Sequence, residues 1–269
     1  EEALAAHPCS DTSCIVQLCH GDKLLELETT LQCQGVADNA VITYLILPAE
    51  EKQQLLVLDK VAGEGTVSLG AQDRQIWNTI PCLKIDGRFV CNIHHVTLPI
   101  SLETLEFGKD FNESVDDMSL PGSLKNLIFG ESTWRLESSF NQRLDKLILP
   151  EKLQTLNLGE VFNQSLDGVI LPQGLADLKF GDAFDQSLDN VALPSGVTEL
   201  EFGKAFNQSL DKIVWPCNLR SLCFSPYGSR FNKSVDNAIF PATLQELTFG
   251  ENFNQCLDSV KLPETLQSR

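Results

Sequence analysis

The chain has 269 residues, of which 42% are apolar, and a formal net charge of −17. This apolar content is sufficient for a packed core and excludes a disordered chain. The negative charge opposes binding to nucleic acids and anionic membranes, because no cluster of Lys or Arg offsets it locally. No segment reaches the roughly 18 consecutive apolar residues of a membrane-spanning helix, so direct insertion into a membrane is not expected.

The first 20 residues contain a group of cysteines and histidines that we compared with a metal site. Cys9, Cys14 and Cys19 are five residues apart, with His7 and His20 nearby. Zinc sites usually include two cysteines separated by two or a few more residues, and the chain has no CxxC pair. Its nine cysteines are odd in number and irregular in spacing, which favours a reducing compartment over a disulfide framework. No metal and no cofactor are predicted.

The start of the chain bears on its location in the cell. It begins at Glu1, and its only methionine is Met118, so we expect that a leading segment was removed or is not included. A removed transit peptide would place the protein in an organelle such as the plastid. Without one, a cytoplasmic location is expected.

Residues 21–48, "GDKLLELETTLQCQGVADNAVITYLILP", resemble the latter half of a ubiquitin-like β-grasp domain. The first hairpin and the helix of such a domain are not recognisable in residues 1–20. The alternative is that residues 1–48 form a small cap over the first coil of the segment that follows. Residues 49–75 are interpreted as a connector, with "AGEG" as a turn signal.

From residue 76 the chain repeats one pattern of about 22 residues. A proline marks each copy, and the steps between successive prolines are 22, 29, 22, 22, 22, 25 and 22 residues. These prolines are Pro99, Pro121, Pro150, Pro172, Pro194, Pro216, Pro241 and Pro263. A fixed period of this length is typical of a solenoid, in which each repeat is one coil stacked on its neighbours.

Each copy predicts two short strands. In the copy from Leu175 to Leu193, the segment "LxxLxF" predicts the first strand, and Val191 and Leu193 predict a second strand with one outward residue between them. The glycine after the first strand permits a tight corner, and the proline ends the second strand. Corresponding strands of successive coils are expected to pair in parallel.

The consensus "LxxLxFGxxFNQSLDxVxLP" resembles the FNIP-type leucine-rich repeat. The resemblance covers residues 76–266, and we assign residues 76–269 to a repeat domain. It implies a mainly β protein, a leucine-rich-repeat or parallel β-solenoid of about eight coils, with the N-terminal segment as a cap or partial β-grasp. The family implies a surface for protein–protein interaction and supplies no catalytic residues.

Two copies carry insertions at the same point, after the first strand. The longer is "GESTWRLESSF" at residues 130–140, and the shorter is "FSPYGSRF" at residues 224–231. Loops on a rigid scaffold are favoured positions for specific contacts. The insertions present Trp134, Arg135, Tyr227 and Arg230, which belong to residue types enriched at interface hot spots. The alternative is that both are tolerated surface loops.

Two polar columns run through the copies. One contains asparagines, with Asp185 in a single copy, and we expect its buried side chains to satisfy backbone groups at the corners. The other contains Asp116, Asp145, Asp167, Asp189, Asp211, Asp236 and Asp258. Stacked carboxylates repel one another, so these should face solvent or accept backbone N–H bonds. Calcium binding by this column is a lesser alternative, because calcium needs six to eight oxygens and each copy offers one carboxylate.

The strongest candidate for a binding surface is the outward position of the second strand. By alternation this residue points away from the core, and five consecutive copies place an apolar residue there, between Ser119 and Lys261. They are Ile148, Ile170, Ala192, Val214 and Ile239. A contiguous exposed apolar strip tends to mark a partner. The outward face of the first strand is polar and mildly acidic, and is our second choice.

The predicted function is a non-catalytic protein–protein interaction scaffold, docked as an accessory subunit onto a larger assembly. The chain is not expected to be an enzyme, because no triad, Cys–His pair or phosphate-binding glycine loop is present. The ending "LPETLQSR" gives the last coil no polar cap, so further chain or another protein is expected to cover it. The alternative function is a ubiquitin-like adaptor with a repeat recognition arm.

Overall fold

The computed structural model describes the backbone of four early strands, then Asn78, residues 80–86 (the side chain of Asp86 excepted), 98–116, 118–130 and 138–267. The early strands are β1 (Cys14–His20), β2 (Lys23–Leu31), β3 (Thr43–Pro48) and β4 (Gln54–Asp59). Within these ranges no segment is helical, and accordingly none offers a helix that would cross a membrane.

Eight short strands follow, one in each repeat. They are β5 (Cys82–Asp86), β6 (Thr104–Phe107), β7 (Asn126–Phe129), β8 (Thr155–Asn157), β9 (Asp177–Lys179), β10 (Glu199–Phe202), β11 (Ser221–Phe224) and β12 (Glu246–Thr248). Each pairs in parallel with the next, one repeat apart. Eight stacked strands enclose seven turns. The parallel β-solenoid is thus confirmed, and so is the strand predicted for the "LxxLxF" segment of each repeat.

The sheet also extends beyond the first repeat. Strand β4 pairs in parallel with β5, and β3 pairs antiparallel with β4, so all ten strands from β3 to β12 form one sheet. Strand β4 lies within residues 49–75, which the sequence analysis interprets as a connector. Strands β1 and β2 form a separate antiparallel pair. The domain boundaries and the ubiquitin-like interpretation of residues 21–48 stay predictions.

The core is a continuous stack of leucines and phenylalanines between the sheet and the opposite wall of the coils. In every clear copy except the last, the apolar residue within the strand, the inward residue two positions later and the "FN" phenylalanine are fully or almost fully buried; in the last copy Leu247, Phe249 and Phe253 are half-buried. The rings of Phe184 and Phe206 are parallel within 1° and 6.2 Å apart between centroids. Equivalent side chains of successive coils therefore pack on one another, and this packing requires the regular period of the sequence.

The phenylalanine rings of the core form two columns with different spacing. Phe180, Phe202 and Phe224, at the inward position that ends the strand segment, lie 5.1–5.2 Å from the next ring between centroids, and Phe224 lies 5.8 Å from Phe249 in the last coil. The "FN" rings of successive coils are 5.8–6.2 Å apart. In the middle coils the column on the sheet side is therefore the more closely stacked.

The predicted second strand is wrong as a strand. Residues 147–149 and their counterparts carry no strand assignment within the described repeats. Their side chains nevertheless alternate as predicted, with Leu147 and Leu149 buried and Ile148 exposed.

The asparagine column is structural, although its members are half-buried or exposed instead of fully buried. The side-chain oxygen of Asn163 accepts the backbone N–H of Asp185 at 2.9 Å and the amide of Gln186 at 2.9 Å. The same bonds recur from coil to coil. Each asparagine thus ties the corner of one coil to the corner of the next.

Replacing Asn163 with alanine is expected to destabilise the stack, because two donors of the next coil lose their acceptor. The cost of unsatisfied donors is about 1–3 kcal/mol, and half-burial places Asn163→Ala at the lower end. Asn163→Asp is the matched control, because Asp185 occupies the equivalent position and accepts the same two bonds from Asn207 and Gln208. Urea unfolding measures both variants, and equal losses would contradict the role of the acceptor.

Candidate interaction surface

The outward residues of the proline-terminated segments form one exposed row. The exposed fractions are 84% for Ile148, Ile170 and Ile239 and 80% for Val214, and Ala192 is also exposed. We call these five residues the apolar strip. Their chain neighbours are held in the core, as with Ile213 and Trp215 beside Val214 in the sequence. A well-packed base beneath exposed apolar side chains makes this a rigid surface.

The spacing of coils beneath the apolar strip is set by the inward residues next to it. The rings of Trp215 and Phe240 stack 6.1 Å apart between centroids, so Val214 and Ile239 lie on coils separated by about this distance. Successive members of the strip are therefore close enough to form one continuous ridge. Ala192 in its middle is the smallest member and leaves a shallow depression between Ile170 and Val214.

The aspartate column borders the apolar strip, three residues earlier in each coil. The backbone N–H of Asp167 donates to the hydroxyl of Ser165 at 3.0 Å, and other copies repeat this turn. Lysines and an arginine neutralise several of the carboxylates, as in Lys146–Asp116 at 3.0 Å and Lys212–Asp189 at 3.7 Å. Repulsion along the column is thereby reduced.

Three aspartates beside the strip, Asp167, Asp211 and Asp236, have no ion pair within the part of the chain that the structure describes. Asp236 instead accepts hydrogen bonds from the hydroxyls of Ser234 and Ser259, which leaves Asp167 and Asp211 without a side-chain partner among the described residues. In contrast, the guanidinium of Arg143 donates to Asp145 at 2.8 Å, and this hydrogen bond lowers the pKa of the Asp145 carboxyl. The strip therefore has an acidic margin that is unpaired next to Ile170 and Val214. The column is recognisable in the sequence, but its position beside the strip was not predicted from it.

The aspartate column does not converge on a metal site in the described residues, where no group of three His, Cys, Asp or Glu side chains is placed to hold an ion. The carboxylates lie on successive coils, so each faces solvent instead of a shared centre. The geometry of the described carboxylates does not support calcium binding.

The shorter insertion forms an exposed turn. Tyr227 is 77% exposed and Arg230 is exposed, while the hydroxyl of Ser225 donates to the Tyr227 carbonyl at 2.9 Å. Gly228 adopts a φ of 71°, and its N–H donates to Glu251 at 2.7 Å. Tyr227 and Arg230 thus stand on a fixed turn, apart in sequence from the strip. Trp134 and Arg135 lie outside the described residues, and their role stays a prediction.

The outward face of the sheet is polar, and much of it is paired internally. Lys84 contacts Glu106 at 3.0 Å, and the amide of Asn126 donates to Thr104 at 2.9 Å. Lys179 lies 3.8 Å from Asp177 and 3.6 Å from Glu201. Burial raises the pKa of the Asp177 carboxyl. These side chains bind one another across coils, whereas the large side chains of the strip are almost fully exposed.

Three exposed apolar residues were not identified from the sequence, namely Ile100 and, at the end of the solenoid, the less exposed Leu257 and Leu262. Ile100 is 71% exposed and follows Pro99, at a position that is mostly polar or small in the other copies. A comparison of that column would have identified it. Ile100 lies outside the apolar strip and provides a matched control for it.

Comparisons with known proteins place the chain among repeat proteins. A family model described as "FNIP Repeat" matches residues 92–132, 140–183, 162–205, 184–227 and 231–268. A search of curated proteins found no match. The chain is similar to the solved structure of CroV588, described as a novel circular LRR protein, with 28% identity and a TM-score of 0.50. The match covers 83% of this chain and 37% of that protein.

A weaker similarity concerns the internalin InlF of Listeria monocytogenes, with 12% identity and a TM-score of 0.38. It covers 73% of this chain and 66% of that protein. The family model and the first structure are sufficient to establish the repeat type. A leucine-rich-repeat fold of this kind is typical of protein–protein interaction.

Proposed function

Because the chain belongs to the FNIP-repeat family, we propose that it is a non-catalytic scaffold that binds another protein through the apolar strip. In this proposal it is an accessory subunit of a larger assembly, in a reducing compartment such as the cytoplasm or the plastid. The observation that carries the proposal is the row of exposed apolar side chains on a rigid base.

The energetics of the strip support this role. Burying a large aliphatic side chain contributes roughly 1.5–3 kcal/mol, and the strip exposes four of them in one row. Association and ordering costs reduce this gain, but the packed coils beneath the strip limit the ordering cost on this side of the interface. Exposed apolar rows of this kind are otherwise a liability for solubility.

The regularity of the repeats supports a scaffold over an enzyme. An active site needs different groups converging on one point, whereas the asparagine column, apart from Asp185, and the aspartate column of this solenoid each repeat one residue type on parallel coils. The described side chains form ladders and pairs across coils, as in Asn141–Asn163 and Lys125–Glu103. Such an arrangement forms extended surfaces, and repeat proteins use extended surfaces to bind partners.

Ile170→Asp or Val214→Asp is expected to weaken binding of the native partner at least 10-fold, since each loses roughly 1.5–3 kcal/mol of apolar contact. The measurement is the amount of partner that co-purifies with each tagged variant from the native source, with circular dichroism as the check on folding. Ile100→Asp, on an exposed isoleucine outside the strip, should retain the partner. Retention by both strip variants, or an equal loss in Ile100→Asp, would contradict the proposal.

A further inference from the structure

We propose that the segment bound on the apolar strip is an amphipathic helix with a basic margin. Its apolar row would lie along the strip, and its flanking Lys or Arg residues would face Asp167 and Asp211. The inference rests on the proposed function and adds the chemistry of the partner.

The backbone of the strip excludes an added strand as the partner. A strand joins a surface through backbone hydrogen bonds, and in the described repeats the segments that carry the strip are not strands. What they present outward is side chains, because the residues on either side of each strip member point into the core. A helix satisfies its own backbone and needs only side-chain contacts. It is therefore the element that fits this wall.

The length of the strip also fits a helix. The ring centroids of Trp215 and Phe240, next to Val214 and Ile239, are 6.1 Å apart, so five coils at about this spacing span roughly 24 Å, the length of about 16 helical residues. An amphipathic helix presents apolar residues at i, i+3 or i+4, and i+7 along one face, and such a stripe can follow the whole row.

The shape of the strip predicts the size of the central contact. Ala192 is flanked by Ile170 and Val214, whose exposed side chains stand higher. A large residue of the helix, such as Leu or Phe, would fill this depression in the manner of ridge-into-groove packing. The middle of the row is where the partner should carry its bulkiest side chain.

The charge beside the strip specifies the margin of the helix. Asp167 and Asp211 carry no ion pair among the described residues, while Asp189 between them is served by Lys212 at 3.7 Å. Two basic residues of the helix, placed two coils apart, would pair with these two carboxylates. The net charge of −17 would also accelerate encounter with a basic segment.

A synthetic peptide tests the proposal with the whole chain. The probe is a fluorescent 21-residue helical peptide with leucines spaced alternately three and four residues apart on one face and lysines beside them, and fluorescence anisotropy measures its affinity. The double variant Ile170→Gln with Val214→Gln is expected to weaken binding at least 10-fold, without changing net charge. Ile100→Gln should bind as well as the unsubstituted protein.

Variants of Asp167 and Asp211 test the acidic margin of the strip. Asp167→Asn with Asp211→Asn should weaken peptide binding several-fold and flatten its dependence on salt. Asp145→Asn is the matched control, because Asp145 is already paired with Arg143, and its effect should be small. A peptide with glutamates in place of the lysines, and one with a central proline that breaks the helix, should both bind at least 10-fold more weakly.

The proposal is overturned if the lysine peptide does not bind, if it binds equally to the double glutamine variant, or if the proline peptide binds as well. These results are distinguishable from failure of the proposed function. If the native partner still depends on Ile170 and Val214, the strip is an interaction surface and only the helix is wrong.

Discussion

Phe206→Ala is expected to lower the free energy of unfolding by about 3–5 kcal/mol, the usual cost of removing a buried phenylalanine. Its ring is fully buried and stacks on Phe202 at 4.0 Å and on Phe184 at 6.2 Å between centroids. The cavity would lie inside a column that continues into the next coil, so little of it can collapse.

Urea unfolding followed by circular dichroism measures this loss. Ile239→Ala is the control for apolar removal without a cavity, because Ile239 is 84% exposed, and its effect should stay within about 0.5 kcal/mol. Similar midpoints for the two variants would show that the phenylalanine column does not hold the coils together.

Gly181→Ala is expected to destabilise the protein by about 3 kcal/mol or more, as an overpacked site that cannot relax. A Cβ atom at Gly181 would lie 1.7 Å from the carbonyl oxygen of Gly159 in the preceding coil. The obstacle is backbone, which moves only if the two coils separate.

The matched control is Gly122→Ala, where a Cβ atom would meet nothing within 4 Å. It should be neutral or slightly stabilising, because alanine reduces the freedom of the unfolded chain. Thermal unfolding separates the two variants. A small effect of Gly181→Ala would mean that the coils tolerate wider spacing at this corner.

The sequence alone was sufficient to predict the solenoid, because a period of 22 residues with repeated apolar positions leaves stacking as the only way to bury them. The first strand and the parallel register follow from it. The outward position of Ile148 and its counterparts also follows, since alternation is local. FNIP repeats are confirmed across residues 92–268, with breaks at the insertions.

Other features depend on distances between coils, which a single repeat does not encode. The predicted second strand was wrong, because the inward side chains there stack across coils, as with Trp215 and Phe240 at 6.1 Å between centroids, while the backbone carries no strand assignment. Gly181 was predicted to permit a tight corner, and the structure adds the approach of Gly159 as a reason for glycine. The ion pair of each aspartate could not be predicted either, because lysines occur at irregular places in the repeats.

Hydroxyl-radical footprinting is the sharpest test for a protein partner on the apolar strip. The protein is oxidised in its native assembly and again after separation, and mass spectrometry compares individual side chains. Strong protection of Ile148, Ile170, Val214 and Ile239 is expected in the assembly, with Ile100 unchanged. Equal oxidation of the strip in both states would contradict binding at the strip.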